Sequence, residues 1–338
     1  MNNMKIIFDL RNVGLGNNGG SSTLVKCGNT LVEMGHDIFF VDSMKNQHTW
    51  TPLKAKHIIC KKEDHLPDAD VIIATGYKSV KATVSAPSRC GLKVHYIRAW
   101  ETWQMQERDI VKKILEAPTL KIVNSICLQR KLKEFGFTSY IIRPGYDFED
   151  LYPMNIRGKK DEIIIGGLYR EGVHGKRKRT TWLFEAARLL KGKNKNIKFW
   201  LYGSEAKPKG FLFDNYVRKP DNKQKNEFYN MVDIWMAPTM SEGLHLPPAE
   251  AMLTECSVVS TKAELSGTQD YITDGLTGLA ANNNLDSFIN NIQWLCKNQK
   301  IREGLGKLGR KRILEIGDRE SNMKKFVDLV KEISNETI

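Results

Sequence analysis

Short apolar runs alternate with amphipathic stretches throughout the chain. Residues 4–9 (MKIIFD), 36–42 (HDIFFVD), 71–75 (VIIAT), 92–97 (LKVHYI) and 121–125 (KIVNS) are compact and rich in β-branched side chains, which predicts strands. Residues 20–34 have helical spacing, with Ser21-Ser22 at the entrance and Gly35 at the exit. The stretch 143–162 is rich in Pro, Gly and charge and reads as a linker. The pattern then restarts, with strands expected at 163–167, 197–202, 233–237 and 257–260 and helices notably at 180–191 and 223–231. Met323, Phe326, Val327 and Val330 repeat at i, i+3, i+4, i+7, the mark of an amphipathic helix from about 319 to 335. Strands that are apolar almost throughout are covered on both faces, as in parallel sheets wound with helices. The expected fold class is therefore α/β, with two doubly wound domains facing across a cleft. The first spans 1–153, the second 154–318, and 319–338 forms a terminal helix. Open sheets of this kind bind ligands at the carboxyl ends of their strands.

Composition narrows the class. A length of 338 residues suits two domains, and 41% apolar with 27% charged residues excludes a disordered chain. Mean hydropathy is −0.41, and no run approaches the roughly 18 apolar residues of a membrane span. Asp9 and Arg11 interrupt the leading apolar run, so no secretory leader is expected. Six cysteines lie far apart with no CxxC, which argues against a zinc site or a disulfide framework and fits the cytoplasm. Lys and Arg number 52 against 39 Asp and Glu, a net charge of +13. The excess calls for an anionic partner: a phosphorylated substrate, an anionic membrane surface met peripherally at its inner face, or nucleic acid. Its densest run is Lys176-Arg177-Lys178-Arg179. No aromatics interleave with that run and no nucleic-acid module is recognisable, so nucleic acid is not expected.

Two segments carry candidate chemistry. Gly14-Leu-Gly16-Asn-Asn-Gly19 matches GxGxxG, and Asp42 lies 23 residues beyond Gly19. A dinucleotide-dependent oxidoreductase has this outline, but its glycines begin right at the strand end. Here Arg11-Asn12-Val13 intervene. The glycines also suit a turn needing positive φ, or a backbone (Gly19-Gly20) that comes close to a phosphate or sugar, with Ser21 and Ser22 opening the helix. The second segment is Ser241-Glu-Gly-Leu-His-Leu-Pro-Pro-Ala-Glu-Ala-Met252, in which seven residues separate Glu242 from Glu250. Pro247-Pro248 suit the start of a helix that carries Glu250 near its first turn. Free amides and the dipole at such a helix end favour an anion, and Gly243 lets the chain approach it. A diphosphate could bind there without a metal, with Glu250 accepting from a ribose diol and Glu242 meeting a sugar hydroxyl.

This segment resembles the E-G-[FY]-G-L-P-x-x-E-A-M signature, the E-x7-E motif, of the retaining nucleotide-sugar-dependent glycosyltransferases of the GT-B fold, family 4 type. The resemblance extends to Met231–Thr239 upstream and to Val258-Val259-Ser260 and Tyr271–Gly278 downstream. It takes in Arg143-Pro144-Gly145 through Phe148 and Tyr152-Pro153 as the link between domains and, more loosely, Gly19-Gly20 and Gly35-His36. It implies two Rossmann-like domains, an amino-terminal one for the acceptor and a second for the nucleotide sugar, with the terminal helix packing back on the first. It also implies roles. Glu242 contacts the donor sugar beside its anomeric carbon. The backbone of Gly243, Leu244 and His245 holds phosphate and sugar, and Glu250 binds the ribose. Gly166–Arg170 with Lys176 resembles a block whose Arg and Lys grip the diphosphate, with Lys178 the second choice for the lysine. Gly19 and Gly20 approach the donor, and a histidine on an amino-domain strand corresponds to His95, although Arg98 is the nearest position by pattern. Independently of the resemblance, Trp100, Glu101 and Trp103 form an acidic-aromatic cluster at a strand's carboxyl end that suits either a sugar platform or ordinary packing. His245 and Glu255 stand where glycine is usual, and Ser257 where proline is usual.

The expected activity is retaining, metal-independent transfer of a sugar from a nucleotide sugar, used as substrate with no cofactor, to an acceptor glycan or lipid-linked saccharide. The departing phosphate oxygen would take the acceptor's proton. The rival readings are the oxidoreductase, a non-catalytic glycan- or anion-binding relative kept open by His245 and Glu255, and a basic nucleic-acid binder.

Overall fold

The computed structural model describes residues 3–60, 65–154, 156, 162–208 and 213–336. The chain separates into two compact units, Met1–Gly145 with Arg319–Ile338, and Tyr146–Asp318.

The first unit is built on seven parallel strands: β1 (Lys5–Asp9), β2 (Asp37–Asp42), β3 (Lys56–Ile59), β4 (Val71–Ala74), β5 (Leu92–Ile97), β6 (Leu120–Val123) and β7 (Tyr140–Ile141). Their order in the sheet is β3-β2-β1-β4-β5-β6-β7. The helices are α1 (Gly19–Glu33), α2 (Tyr77–Val84), the short α3 (Glu107–Ile110) and α4 (Ile126–Glu134). α1 starts earlier than its serines suggest, because Asn18 is the cap and its side chain accepts from the Ser21 amide.

The second unit has six parallel strands: β8 (Ile163–Tyr169), β9 (Ile197–Gly203), β10 (Asn215–Arg218), β11 (Ile234–Ala237), β12 (Ser257–Thr261) and β13 (Leu279–Ala281). They run in the order β10-β9-β8-β11-β12-β13. α5 (Gly172–Lys178), α6 (Thr180–Lys193), α7 (Asn222–Met231), α8 (Leu246–Leu253), α9 (Leu285–Lys297) and α10 (Gln299–Ile316) flank them. The last helix, α11 (Arg319–Glu336), belongs to the first unit, where Met323, Phe326, Val327 and Val330 join its core.

The unit boundary falls between Gly145 and Tyr146, not at 153/154 as the sequence suggested. The expected linker is tied down early: the amides of Tyr152 and Met154 donate to Asn226 and Asn230 on α7. Residues 155 and 157–161 of that stretch lie outside the described residues. The four strands without a clear sequence signal, β3, β7, β10 and β13, are the four sheet edges. β3, β7 and β10 bury little of their surface, so their apolar pattern is weak, and β13 is buried but only three residues long. Among the described residues no helix is long and apolar enough to cross a membrane.

Two glycines of α10 are in opposite situations. A β-carbon at Gly306 would lie 2.1 Å from the Glu255 carbonyl oxygen, whereas at Gly304 it would meet nothing within 4 Å. Gly304→Ala should therefore stabilise by about 0.5–1 kcal/mol through helix propensity. Gly306→Ala should destabilise by about 1–3 kcal/mol or more through overpacking. Urea denaturation of the two variants beside the parent checks both signs.

Candidate functional site

Glu242 lies in the loop that follows β11. Its amide donates to the Leu265 carbonyl at 2.7 Å, and the Met240 amide donates to the Arg177 carbonyl at 2.9 Å. These bonds join the loop to the segment after β12 on one side and to α5 on the other. Gly267, at φ +69°, makes the first junction possible: a β-carbon there would sit 2.9 Å from the His245 nitrogen and 3.1 Å from Glu242 Cβ. His245 precedes α8. Its amide donates to the Gly267 carbonyl, and its carbonyl accepts from the Tyr271 hydroxyl.

α5 brings two cations to this carboxylate. Lys178 Nζ is 2.7 Å from Glu242 Oε1, and Arg177 Nη2 is 3.5 Å from the same oxygen. Burial by itself pushes the Glu242 carboxyl up. The charges facing it, led by Lys178, reverse that and hold it at about 2. Lys178 Nζ also lies 3.4 Å from His245 Nε2. An ammonium only donates, so Nε2 accepts and the imidazole proton sits on Nδ1. That Nδ1 is buried and has no partner among the described residues.

The other expected residues are distributed as follows. Lys176 is exposed, and it is Lys178 that reaches Glu242. Arg170 stands at the end of β8 with its guanidinium engaged by Glu205 (3.0 Å) and Ser204 (3.0 Å) just past β9. Gly243 is buried, and Leu244 is buried in the apolar core with its side chain. Glu250, on α8, has its own network: Lys225 Nζ is 2.9 Å away, and the Tyr229 hydroxyl donates at 2.9 Å while pairing with Tyr202 at 2.7 Å. Burial, then the Glu250 charge, push the Tyr229 hydroxyl well above its ordinary value, so it stays a donor. Arg177 was read only as part of the basic run 176–179, and Gly267 was not singled out from the sequence.

Gly19, Gly20 and His95 belong to the first unit. Gly19 and Gly20 open α1, and Arg98 donates to the carbonyls of Gly20 (2.7 Å) and Thr75 (2.8 Å). His95 is 0% exposed inside β5, edge-on to the Tyr77 ring at 5.8 Å, and burial pushes its imidazole down to about 3. Trp100 is likewise packed, stacked on Phe135, with its indole donating to Glu107. Trp103 is exposed. The oxidoreductase reading is not favoured. β1 ends at Asp9 while α1 starts at Gly19, and Asp42 Oδ1 is occupied by the amides of Ser43 and Met44. Among the described residues no three His, Cys, Asp or Glu side chains form a group that could hold a metal ion.

Residues 163–298, which include all of Glu242–Glu250, match the family described as "Glycosyl transferases group 1". The capsular polysaccharide biosynthesis glycosyltransferase CapM of Staphylococcus aureus is 24% identical over 227 residues, 61% of this chain and 56% of CapM. The chain thus spans little more than half the length of that relative. Among solved structures, sucrose-phosphate synthase from Thermosynechococcus elongatus superposes with a TM-score of 0.75 at 16% identity, over 98% of this chain and 99% of that one. Anabaena Alr3699/HepE in complex with UDP-glucose gives 0.77 at 14% identity, over 97% and 100%. S. aureus TarM, in a complex with Fondaparinux, α-GlcNAc-glycerol and UDP, gives 0.65 at 21%, over 79% and 57%. The two parallel-sheet α/β units carry the Rossmann-like GT-B architecture of these proteins.

The buried imidazole makes the site acid-sensitive. Burial first, and the Lys178 charge next, push His245 from 6.5 down to about 3. Between those two values the unfolded chain takes up a proton that the folded chain refuses, so stability falls as pH drops through the window. Going from pH 7 to pH 5 should remove about 2 kcal/mol through this residue. His245→Gln should lose correspondingly less than the parent over the same interval, as measured by urea denaturation at each pH.

Proposed function

We propose that this chain is a glycosyltransferase that moves a sugar from a nucleotide-sugar donor, of the uridine diphosphate type, to a hydroxyl of a glycan or lipid-linked saccharide. The observation that carries the reading is Glu242, half-buried and ionised under Lys178 and Arg177 where the strand-end loops of the second unit meet. The match of residues 163–298 to group 1 glycosyltransferases supports it, as do the UDP and UDP-glucose complexes of similarly folded proteins.

The roles follow from charge. A diphosphate carries more negative charge than one carboxylate, so the cations now held by Glu242 are suited to receive it. Lys178 and Arg177 are the nearest of them, with Arg170 at the end of β8 and exposed Lys176 as further contributors. Cations fixed before the reaction cost no reorganisation when the leaving group gains charge. Glu250, presented by α8, accepts from the ribose hydroxyls. The backbone of Gly243–His245 lines the phosphate and sugar. Gly19 and Gly20, at the start of α1 in the first unit, are assigned to the donor by resemblance alone. His95, sealed in β5, would support that end of the sheet.

The transfer is read as retaining and independent of a metal ion. The bond from the anomeric carbon to the phosphate oxygen breaks, and the acceptor oxygen bonds to the same face. The acceptor's proton passes to the departing phosphate oxygen. Glu242 orients the sugar and is not the nucleophile. A double displacement places two carboxyl groups about 5–5.5 Å apart, whereas the charged neighbours of Glu242 at 2.7 and 3.5 Å are cations.

A thermal-shift panel of UDP-, GDP-, ADP- and dTDP-sugars tests the donor class. A UDP-sugar is expected to raise the melting temperature by mass action. Glu242→Gln should keep that shift while lowering turnover by about 10²–10³-fold. Equal turnover in variant and parent removes Glu242 from the reaction.

A further inference from the structure

Glu250 is already a well-occupied carboxylate. Lys225 Nζ lies 2.9 Å from each of its two oxygens, and the Tyr229 hydroxyl donates to Oε2 at 2.9 Å. Among the described residues no other hydrogen bond or ion pair reaches it. An ionised carboxyl offers about four acceptor positions, two on each oxygen. The bridging ammonium faces one position on each oxygen, and the hydroxyl takes a second on Oε2. One position is left, on Oε1.

Both donors are held in place by α7. Lys225 and Tyr229 are four residues apart on that helix and share a face. The adjoining positions are committed too, since Asn226 accepts from the Tyr152 amide and Asn230 from the Met154 amide. Asp221 and Gln224 close a capping box at the start of the helix. Tyr229 is fully buried, and because it donates to Glu250 its oxygen accepts from the Tyr202 hydroxyl at 2.7 Å. A hydroxyl polarised in this way is a stronger donor. Lys225 differs at its tip. An ammonium has three N–H groups. Two face the oxygens of Glu250, and among the described residues the third has no partner. The Lys225 side chain is 24% exposed and that of Glu250 18%, so both are open to a ligand from solvent.

One open acceptor on Oε1 and one open donor on Lys225 therefore stand side by side. Two hydroxyls on adjacent carbons fit such a pair, because a hydroxyl both donates and accepts. One donates to Oε1, and the oxygen of the other accepts from the ammonium. We propose that Lys225 reads the second hydroxyl of the donor's ribose, so that the site takes ribonucleotides and refuses 2′- or 3′-deoxyribonucleotides. The inference rests on the reading of the second unit as a nucleotide-sugar site, and it narrows the part of Glu250 to a single hydroxyl. A nucleotide lacking either hydroxyl leaves one charged group without its ligand partner, which costs more than losing a neutral contact.

Calorimetric titration of the full chain with UDP, 2′-deoxy-UDP and 3′-deoxy-UDP tests it. The parent is expected to bind each deoxy analogue about tenfold or more weakly than UDP. Lys225→Met, which keeps the alkyl stem, should bring one of these two ratios close to unity and leave the other standing. Lys225→Arg, which still donates, should keep both. A lysine that served only as a counter-charge to Glu250 would, on removal, weaken all three ligands together with the ratios unchanged. A cooperative melt shows that each variant folds, and Lys225→Ala gives the same reading should the methionine variant not fold. If the parent binds UDP but does not discriminate, or if Lys225→Met keeps both ratios of the parent, the role of Lys225 is overturned alone. If the parent binds no UDP, the nucleotide-sugar reading falls and takes this inference with it.

Discussion

The ion pair of Lys178 with Glu242 is the contact on which the second unit's strand-end loops converge. Its partners come from separate crossovers, one after β8 and one after β11. A carboxylate withdrawn from water is costly, and only close cations offset that cost. The backbone must therefore deliver both side chains to one place. It does so through the bond from Met240 to Arg177 and through the bond from Glu242 to Leu265. Gly175 serves the same end, since a β-carbon there would lie 2.4 Å from the Arg170 carbonyl oxygen. The turn from β8 into α5 is thereby tight enough to aim Arg177 and Lys178 inward.

Glu250 is held by a different material. Behind it lies a layer of aromatic rings, Tyr202, Phe228, Tyr229 and Trp235, with centroids 5.1–6.4 Å apart. The Tyr202–Tyr229–Glu250 chain of hydrogen bonds runs out of that layer to α8. α10 braces the far end of α8, where Gly306 admits the Glu255 carbonyl and Glu255 takes the left-handed conformation at φ +62°. Glycine is the least strained residue for that conformation. Glu255 in its place is a local cost carried by the packing of α8 on α10.

The central strands and the amphipathic helices were readable in the sequence because both faces of a parallel sheet are covered and the apolar runs are unbroken. The edge strands β3, β7, β10 and β13 lack that signal. In the site, the glutamate pair and the proline start of α8 were readable from local chemistry. The choice among Lys176, Arg177 and Lys178 was not, because it depends on helix phase. Positions two apart on a helix point to opposite sides, so Lys178 faces Glu242 while Lys176 faces water. Arg170 shows a different limit. Its partner Glu205 is brought in from the end of a neighbouring strand, and spacing along the chain carries no trace of that contact. His95 shows a third: in a doubly covered sheet, neither face of a strand leads to solvent.

Charge ties these observations together. A net +13 is a repulsive burden unless cations are either paired or well solvated. Arg170, Arg177, Lys178 and Lys225 are partly buried and each has a glutamate within 4 Å. Such cations are fixed in place, so they can act on a ligand's charge without first being ordered. The lysines of α10 are the opposite case: Lys300, Lys307 and Lys311 are exposed and solvated, on a helix that also exposes Glu303 and Glu315.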